Sequence, residues 1–186
     1  MRKLSTFTFI TLDGYYKGEN NDISWHTHGQ EEGEFSAENL KGDNTLLFGR
    51  VTYQMMAGFW SSPAAVESFP EVAEGMNKAE KLVFSKTLNT VDWKNTKLIK
   101  GDLIEEIKKL KSESGNNITI LGSGSLVTQL TEHNLIDEYQ IMIDPVAIGK
   151  GTALFKGITH CPELKLVNSR VFKSGVVLHI YKAIID

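Results

Sequence analysis

The sequence predicts an α/β domain whose central sheet is mostly parallel and closes in an antiparallel hairpin. Three observations carry this. Apolar runs of strand length alternate with amphipathic stretches of helix length through most of the chain, and such alternation implies right-handed crossovers between parallel strands. Several of the runs end on glycine or serine turns that open straight into a helical pattern. The tail differs: "ELKLVNSRVF" and "GVVLHIYKAII" both read as strands, joined at Lys173-Ser174-Gly175, a hairpin signal that adds antiparallel strands at one sheet edge.

The elements follow in order. "LSTFTFITL" sets Leu4, Phe7, Phe9 and Leu12 among β-branched residues and stops at Asp13-Gly14, a strand and a turn. Residues 18–32 are polar and rich in Gly and Asn around Trp25, a long loop. "EEGEFSAENLKG" is a short helix ending at Gly42. "NTLLFG" is a buried strand, and "RVTYQMMAGFW" puts Tyr53, Met56 and Trp60 on one helical face. Pro63 and Pro70 break residues 61–79 into short helical pieces. "EKLVFSKTL" and "TKLIKG" are strands. "DLIEEIKKLKSESG" is the clearest helix: Asp102 and Glu105 resemble a capping box, Ile104, Ile107 and Leu110 share a face, and Gly115 is placed to cap the end. "NITILGS" is a buried strand, followed by a stripe of Leu126, Val127 and Leu130. "IDEYQIMIDPVAIG" begins as a long strand and "GKGTALF" is a loop.

The chain is 186 residues with a net charge of -3, a length that suits one domain over 1–186 with a full core. The charge gives no footprint for nucleic acid, and no apolar run reaches the length of a membrane helix. The N-terminus lacks the continuous apolar run of a signal peptide. Cys161 is the only cysteine, which fits a reducing cytoplasm.

In an open α/β sheet, ligands gather beyond the carboxyl ends of the strands. Three strand ends carry phosphate-binding chemistry. "LLFGRVT" offers Gly49 for close approach, the forked cation of Arg50 and the hydroxyl of Thr52. "LVFSKT" adds Ser85 and Lys86. "ILGSGSL" brings Gly122, Ser123, Gly124, Ser125 and Leu126 to a helix N-terminus, where unpaired N–H groups and the helix dipole favour an anion. Each turn alone is what any strand-to-helix handover uses, and "GSGSLV" matches only the first two glycines of a dinucleotide fingerprint. Together they suit a dinucleotide laid along the sheet edge. Cations at two separate ends favour a 2′-phosphate, where an acid would instead take a ribose hydroxyl.

"FITLDGYY", "FGRVTYQ", "LVFSKTL", "ILGSGSLVTQL" and "LIDEYQIMIDPVAIGKGTALF" together resemble the dihydrofolate-reductase-like proteins related to the C-terminal reductase domain of bacterial riboflavin biosynthesis. The resemblance spans nearly the whole chain. It implies a three-layer fold with a central mixed sheet, NADPH at these same turns, and often a homodimer, for which the apolar tail residues Val176, Val177, Leu178 and Ile180 offer a surface. On this match Arg50 and Thr52 hold the 2′-phosphate and pyrophosphate side, Ser85 and Lys86 the adenosine side, and Gly122 to Leu126 the pyrophosphate. Classical dihydrofolate reductases have a cis Gly-Gly pair where this chain has Gly122-Ser123. Since non-proline cis bonds cost about 3 kcal/mol, the sequence leaves that bond open.

Asp13 is the candidate catalytic residue: it either orients substrate and relays a proton near the nicotinamide, or serves its own Asp-Gly turn. Trp25 is the candidate substrate-binding residue, stacking over a flat ring or else plugging the core. The acidic residue that dihydrofolate reductases carry on this helix has no clean counterpart among Glu31, Glu32 and Glu34, which read as a solvated face. His26 and His28, near Glu31 and Glu32, are metal-ligand types, but a loop does not force this spacing onto one side, and no metal is expected. There is no nucleophile elbow and no phosphate loop of the Walker type. The expected function is an NADPH-dependent reductase of a small, pteridine- or pyrimidine-like heterocycle, passing hydride to a C=N or C=O carbon. The alternatives are a ligand binder of the same fold without turnover, and a structural dimer.

Overall fold

The computed structural model describes residues 1–26 and 29–184. In chain order the strands are β1 (Leu4–Thr11), β2 (Tyr15–Lys17), β3 (Thr45–Gly49), β4 (Lys81–Phe84), β5 (Thr96–Ile99), β6 (Ile118–Leu121), β7 (Glu138–Asp144), β8 (Thr152–Ala153), β9 (Leu164–Val171) and β10 (Val177–Ala183). The helices are α1 (Gln30–Leu40), α2 (Arg50–Trp60), α3 (Pro63–Ser68), α4 (Pro70–Lys78), α5 (Leu103–Ser112) and α6 (Gly124–Glu132). Eight strands form one sheet in the order β5-β4-β3-β6-β1-β7-β10-β9, and β2 pairs with β8 in a separate ribbon. From β5 to β7 every pairing is parallel; β7, β10 and β9 pair antiparallel. The expected mixed sheet with a terminal hairpin is therefore what forms. Ile185, the last residue of the expected tail strand, lies outside the described residues.

Alternation along the strands divides the core. Leu47, Leu82 and Phe84 pack with Ile107 of α5 and Leu126, Val127 and Leu130 of α6 on one side of the sheet. Leu46, Phe48 and Val83 pack on the other side with Ala37 of α1, Tyr53 of α2, and Val72 and Met76 of α4. Neighbouring side chains on a strand point to opposite faces, so both layers of helices are anchored by the same three-residue runs. Burial of this kind is worth roughly 1.5–3 kcal/mol per large apolar side chain.

Local chemistry sets the helix ends. Asp102 accepts from the N–H groups of Ile104 and Glu105 and starts α5. The helix ends at Glu113, and Gly115, at φ 149°, lies beyond it beside the Arg2 guanidinium instead of capping it. Lys81 is fully buried, and its ammonium donates to the carbonyls of Met76 (2.8 Å), Asn77 (3.3 Å) and Ala79 (2.6 Å) where α4 runs out. Its Nζ also lies 4.7 Å from the Trp93 ring centroid. Those carbonyls are left over by the helix, so one buried cation closes α4 and starts β4.

Of the α1 acids, Glu34 is exposed as expected, but Glu31 and Glu32 are not part of a solvated face. Glu31 accepts from the backbone N–H of Lys173 (3.1 Å) and pairs with its ammonium (2.9 Å). Glu32 is buried and accepts from the Ser174 hydroxyl. Phe35 then meets Phe7 and Phe172, each at 6.0 Å between ring centroids. The helix is thus tied at its first turn to the β9–β10 hairpin and lies over β1 and β7.

Candidate functional site

The sheet order contains a switch. From β1 the chain crosses to β3, leaving a gap that β6 fills later. At such a point the strand ends open a crevice. Here the crevice is a cleft of about 1040 Å³ that starts at the turns after β3 and β6 and runs back over the sheet between α1 and α2.

The turn after β6 is the strained part. Gly122 has φ 56°, and Ser123 follows in the left-handed region at φ 50°, ψ 53°. No described peptide bond is cis, so the Gly122–Ser123 bond is trans. A non-glycine residue in this region costs on the order of 1 kcal/mol. What it gains is reach: Ser123 Oγ accepts the N–H of Gly49 at 2.8 Å, bonding the β6–α6 turn to the β3–α2 turn. Its carbonyl also takes the N–H groups of Leu126 (2.7 Å) and Val127 (3.2 Å). The first-turn N–H groups of α6 at Gly124 and Ser125 are donors that helix geometry leaves over.

The predicted residues divide. Gly49, Arg50, Thr52, Gly122, Ser123, Gly124 and Ser125 all line the cleft. Arg50 is exposed, with a guanidinium N–H donating to Gln54 Oε1 at 3.1 Å, and Thr52 packs against Gly122. Leu126 lies in the core beneath Gly49. Ser85 is buried, and its Oγ accepts from the N–H groups of Thr87 (3.2 Å) and Leu88 (3.0 Å). Ser85 and exposed Lys86 end the neighbouring strand β4, outside the cleft lining. Gly124 is buried because the Tyr16 ring lies on it: a Cβ there would stand 2.5 Å from two ring carbons. Burial raises the Tyr16 pKa.

Asp13 is also outside the lining. Its carboxylate accepts from the Thr11 hydroxyl and from the N–H groups of Ile148 (3.1 Å) and Gly149 (2.8 Å). These bonds, the Thr11 hydroxyl first, hold its pKa below the usual range. A carboxylate so held is a poor proton donor. Asp13 clamps the β1–β2 turn to the loop before β8, and that clamp carries β2 and Tyr16 toward α6.

Trp25 lines the cleft, and its indole N–H is buried with no acceptor among the described residues. Next to it His26 also lines the cleft, stacks on Phe9 at 3.9 Å between centroids, and bonds through Nδ1 to both carboxylate oxygens of Asp144 at 3.0 Å. The candidate metal partner His28 lies outside the described residues. The His26–Asp144 contact went unread in the sequence, although an acid closing the apolar run "IMID" was a visible sign that something buried had to meet it.

The residues present fit a phosphorylated dinucleotide along this rim. Leftover α6 donors, a guanidinium and a hydroxyl converge at adjoining strand ends, and the cleft behind them has room for a flat ring. The RibD C-terminal domain model matches residues 2–178. The chain is 31% identical over 172 residues to the uncharacterized protein YyaP of Bacillus subtilis (strain 168), covering 92% of this chain and 90% of that one. It is 27% identical over 183 residues to YwjB of the same organism, covering 98% and 99%. A putative riboflavin biosynthesis protein from Shewanella sp. PV-4 superposes with a TM-score of 0.76 at 21% identity, over 98% and 99% of the two chains. The Thermotoga maritima diaminohydroxyphosphoribosylaminopyrimidine deaminase/5-amino-6-(5-phosphoribosylamino)uracil reductase superposes at 0.70 and 16% identity, over 98% of this chain and 57% of that longer one. Sequence and fold thus agree that this chain belongs to the RibD C-terminal domain family, with the dihydrofolate-reductase-like architecture.

Proposed function

We propose that the protein is an NADPH-dependent reductase of a small planar heterocycle. The observation that carries this is the Gly49–Ser123 bond, which fuses two glycine turns into one cleft-facing rim beside Arg50 and Thr52. When bound, the cofactor supplies a hydride. The chain's residues bind and orient: Arg50 takes the 2′-phosphate, the Ser125 N–H at the head of α6 takes pyrophosphate, and Tyr16 bounds the space between rim and substrate. Exposed Lys86, one strand further out, meets the adenosine, while buried Ser85 closes its own turn. Phe7, Phe9 and Trp25 wall the substrate ring and keep water from it.

Titration with NADPH, NADH and NADP tests this reading. Saturable binding with a preference for NADPH is expected, and Arg50→Ala should reduce that preference by about tenfold, a loss of about 1.4 kcal/mol. Equal loss for NADPH and NADH would remove Arg50 from its role. Absence of any heat or fluorescence change at millimolar cofactor would end the reductase reading. A binder without turnover is favoured by one observation: Asp13, the proton-relay candidate, lies outside the cleft lining with its pKa held low by its hydrogen bonds. NADPH binding with no oxidation across a panel of imines and carbonyls would select it.

The same reading places the protein in the cytoplasm, working on a small molecule without nucleic acid or membrane, as a homodimer. No described helix is long and apolar enough to cross a membrane. The tail residues expected to offer a dimer surface do not: Val176 and Leu178 are buried in the core, with Ile180 packed against them. Strand β9 is instead exposed along almost all its length, including Leu166, Val167 and Val171, an edge that a second copy would cover. A monomeric mass by sedimentation at working concentration would remove the dimer.

A further inference from the structure

Hydride arriving at a C=N or C=O carbon leaves an electron pair on the heteroatom, so the reductase reading calls for a proton donor near the carboxyl-end rim. Among the described residues, the ionisable side chains that line the cleft are Lys3, Tyr16, Lys17, His26, Arg50 and Glu138. Lys3 and Glu138 stand at the amino ends of β1 and β7, a strand's length from the rim. Arg50 does not release its proton. Burial makes the Tyr16 hydroxyl a weaker acid. Lys17 Nζ is turned to Asn21 Oδ1 at 2.7 Å. His26 remains.

The ring of His26 is fixed in place beside the rim. The Gly122 N–H donates to the Phe7 carbonyl at 3.0 Å, which joins the β6 turn to β1. The Phe7 and Phe9 rings meet edge to face at 5.1 Å, and Phe9 carries the imidazole at 3.9 Å. Asp144 ends β7 opposite Thr11 of β1, so it too lies at the carboxyl end of the sheet. It is buried and outside the cleft lining, whereas His26 is in it. Nδ1 faces Asp144, so the opposite edge of the ring, with Nε2, is the one turned to the cleft. A carboxylate only accepts, so Nδ1 carries a hydrogen and Nε2 is the nitrogen that gives or takes a proton. A second observation marks the same corner: the Trp25 indole N–H beside it is buried without an acceptor. Buried donors are nearly always satisfied, so an acceptor atom of a ligand belongs there.

We propose that His26 is the proton donor of the reaction and that Asp144 is its positioning residue. The electron pair left on the substrate's N or O takes the proton from Nε2. The ring's Nε2–H bond breaks, an N–H or O–H bond forms on the product, and the neutral ring keeps its Nδ1–H on Asp144 until water returns a proton. This rests on the reductase reading and fills the role that Asp13 does not.

Stopped-flow measurement with NADPH and two bicyclic acceptors tests it. Isatin, a ketone, needs a hydride and a proton; the N-methyl-3,4-dihydroisoquinolinium ion needs only the hydride. His26→Phe keeps a ring on Phe9 but has no proton to give. It should lower the ratio of the isatin rate to the iminium rate by about a hundredfold or more, and Asp144→Asn should lower it by about tenfold or more. A merely structural role would slow both acceptors alike and leave the ratio standing. If His26→Phe melts early, His26→Gln asks the same with a side chain that hydrogen-bonds and does not titrate. An unchanged ratio in the His26 variants would overturn the assignment and leave the reductase reading intact, and so would wild-type reduction of the iminium ion alone. Reduction of neither acceptor would sink the reductase reading and the assignment with it.

Discussion

Ser123 and Ser85 stand in matching places, each just past an apolar parallel strand, and they do opposite things. Ser85 Oγ takes two N–H groups of its own turn and settles it locally. Ser123 adopts a left-handed backbone and sends its Oγ across to the neighbouring strand end at Gly49. A turn satisfied from within is a connector. A turn that spends backbone strain to bind its neighbour is holding a shape for something else. The difference teaches which of two similar signals belongs to the site, and several changes would break or sharpen it.

The largest effect is expected at Gly124. A side chain there drives into the Tyr16 ring, so Gly124→Val should cost about 2–3 kcal/mol in urea unfolding and abolish cofactor binding. Combining it with Tyr16→Ala should restore part of the stability, since the two share one space. Ser123→Ala removes the bridge while leaving the backbone strained; a loss of about 1–2 kcal/mol is expected, with NADPH affinity down by tenfold or more. Ser85→Ala should cost about 1 kcal/mol of stability and shift NADPH affinity less than threefold. If the two serine variants weaken NADPH equally, the contrast is false.

The last effect touches stability and not the cofactor: a pH dependence at the other end of β4. Burial pushes the Lys81 ammonium down to about 8 from 10.5. Between those values the unfolded chain binds more protons than the folded one, so stability should rise as pH climbs from 8 toward 10. Tyr16 and Tyr139, whose pKa values burial raises above 10.0, reverse the slope beyond that point. In Lys81→Met the rise should vanish. A flat wild-type profile in chemical unfolding between pH 8 and 10 would show that the folded state holds this proton as readily as the unfolded chain.

Much of the fold was legible because period carries it. Alternation in "LSTFTFITL" and helical spacing in "DLIEEIKKLKS" each name their element, and Lys173-Ser174-Gly175 names the hairpin. The rim was legible through its glycines. The cleft floor was only half legible: Ser5, Thr119, Glu138 and Gln140 visibly share faces, but whether such a face meets water or a covering helix depends on tertiary packing. Asp13 stayed open in the sequence because an Asp-Gly turn looks the same whether its carboxylate faces a ligand or a distant backbone. Glu31 and Glu32 misled for the converse reason, since their partners at Lys173 and Ser174 are 142 residues away in sequence.

The Glu31 and Glu32 ties give α1 an unusual suspension. The helix that roofs the cleft is moored to the hairpin at the rim of the sheet through the carboxylates of its first turn. Cutting the two moorings together, as Glu31→Ala with Glu32→Ala, should therefore speed amide exchange in the first turn of the roof before it touches the sheet.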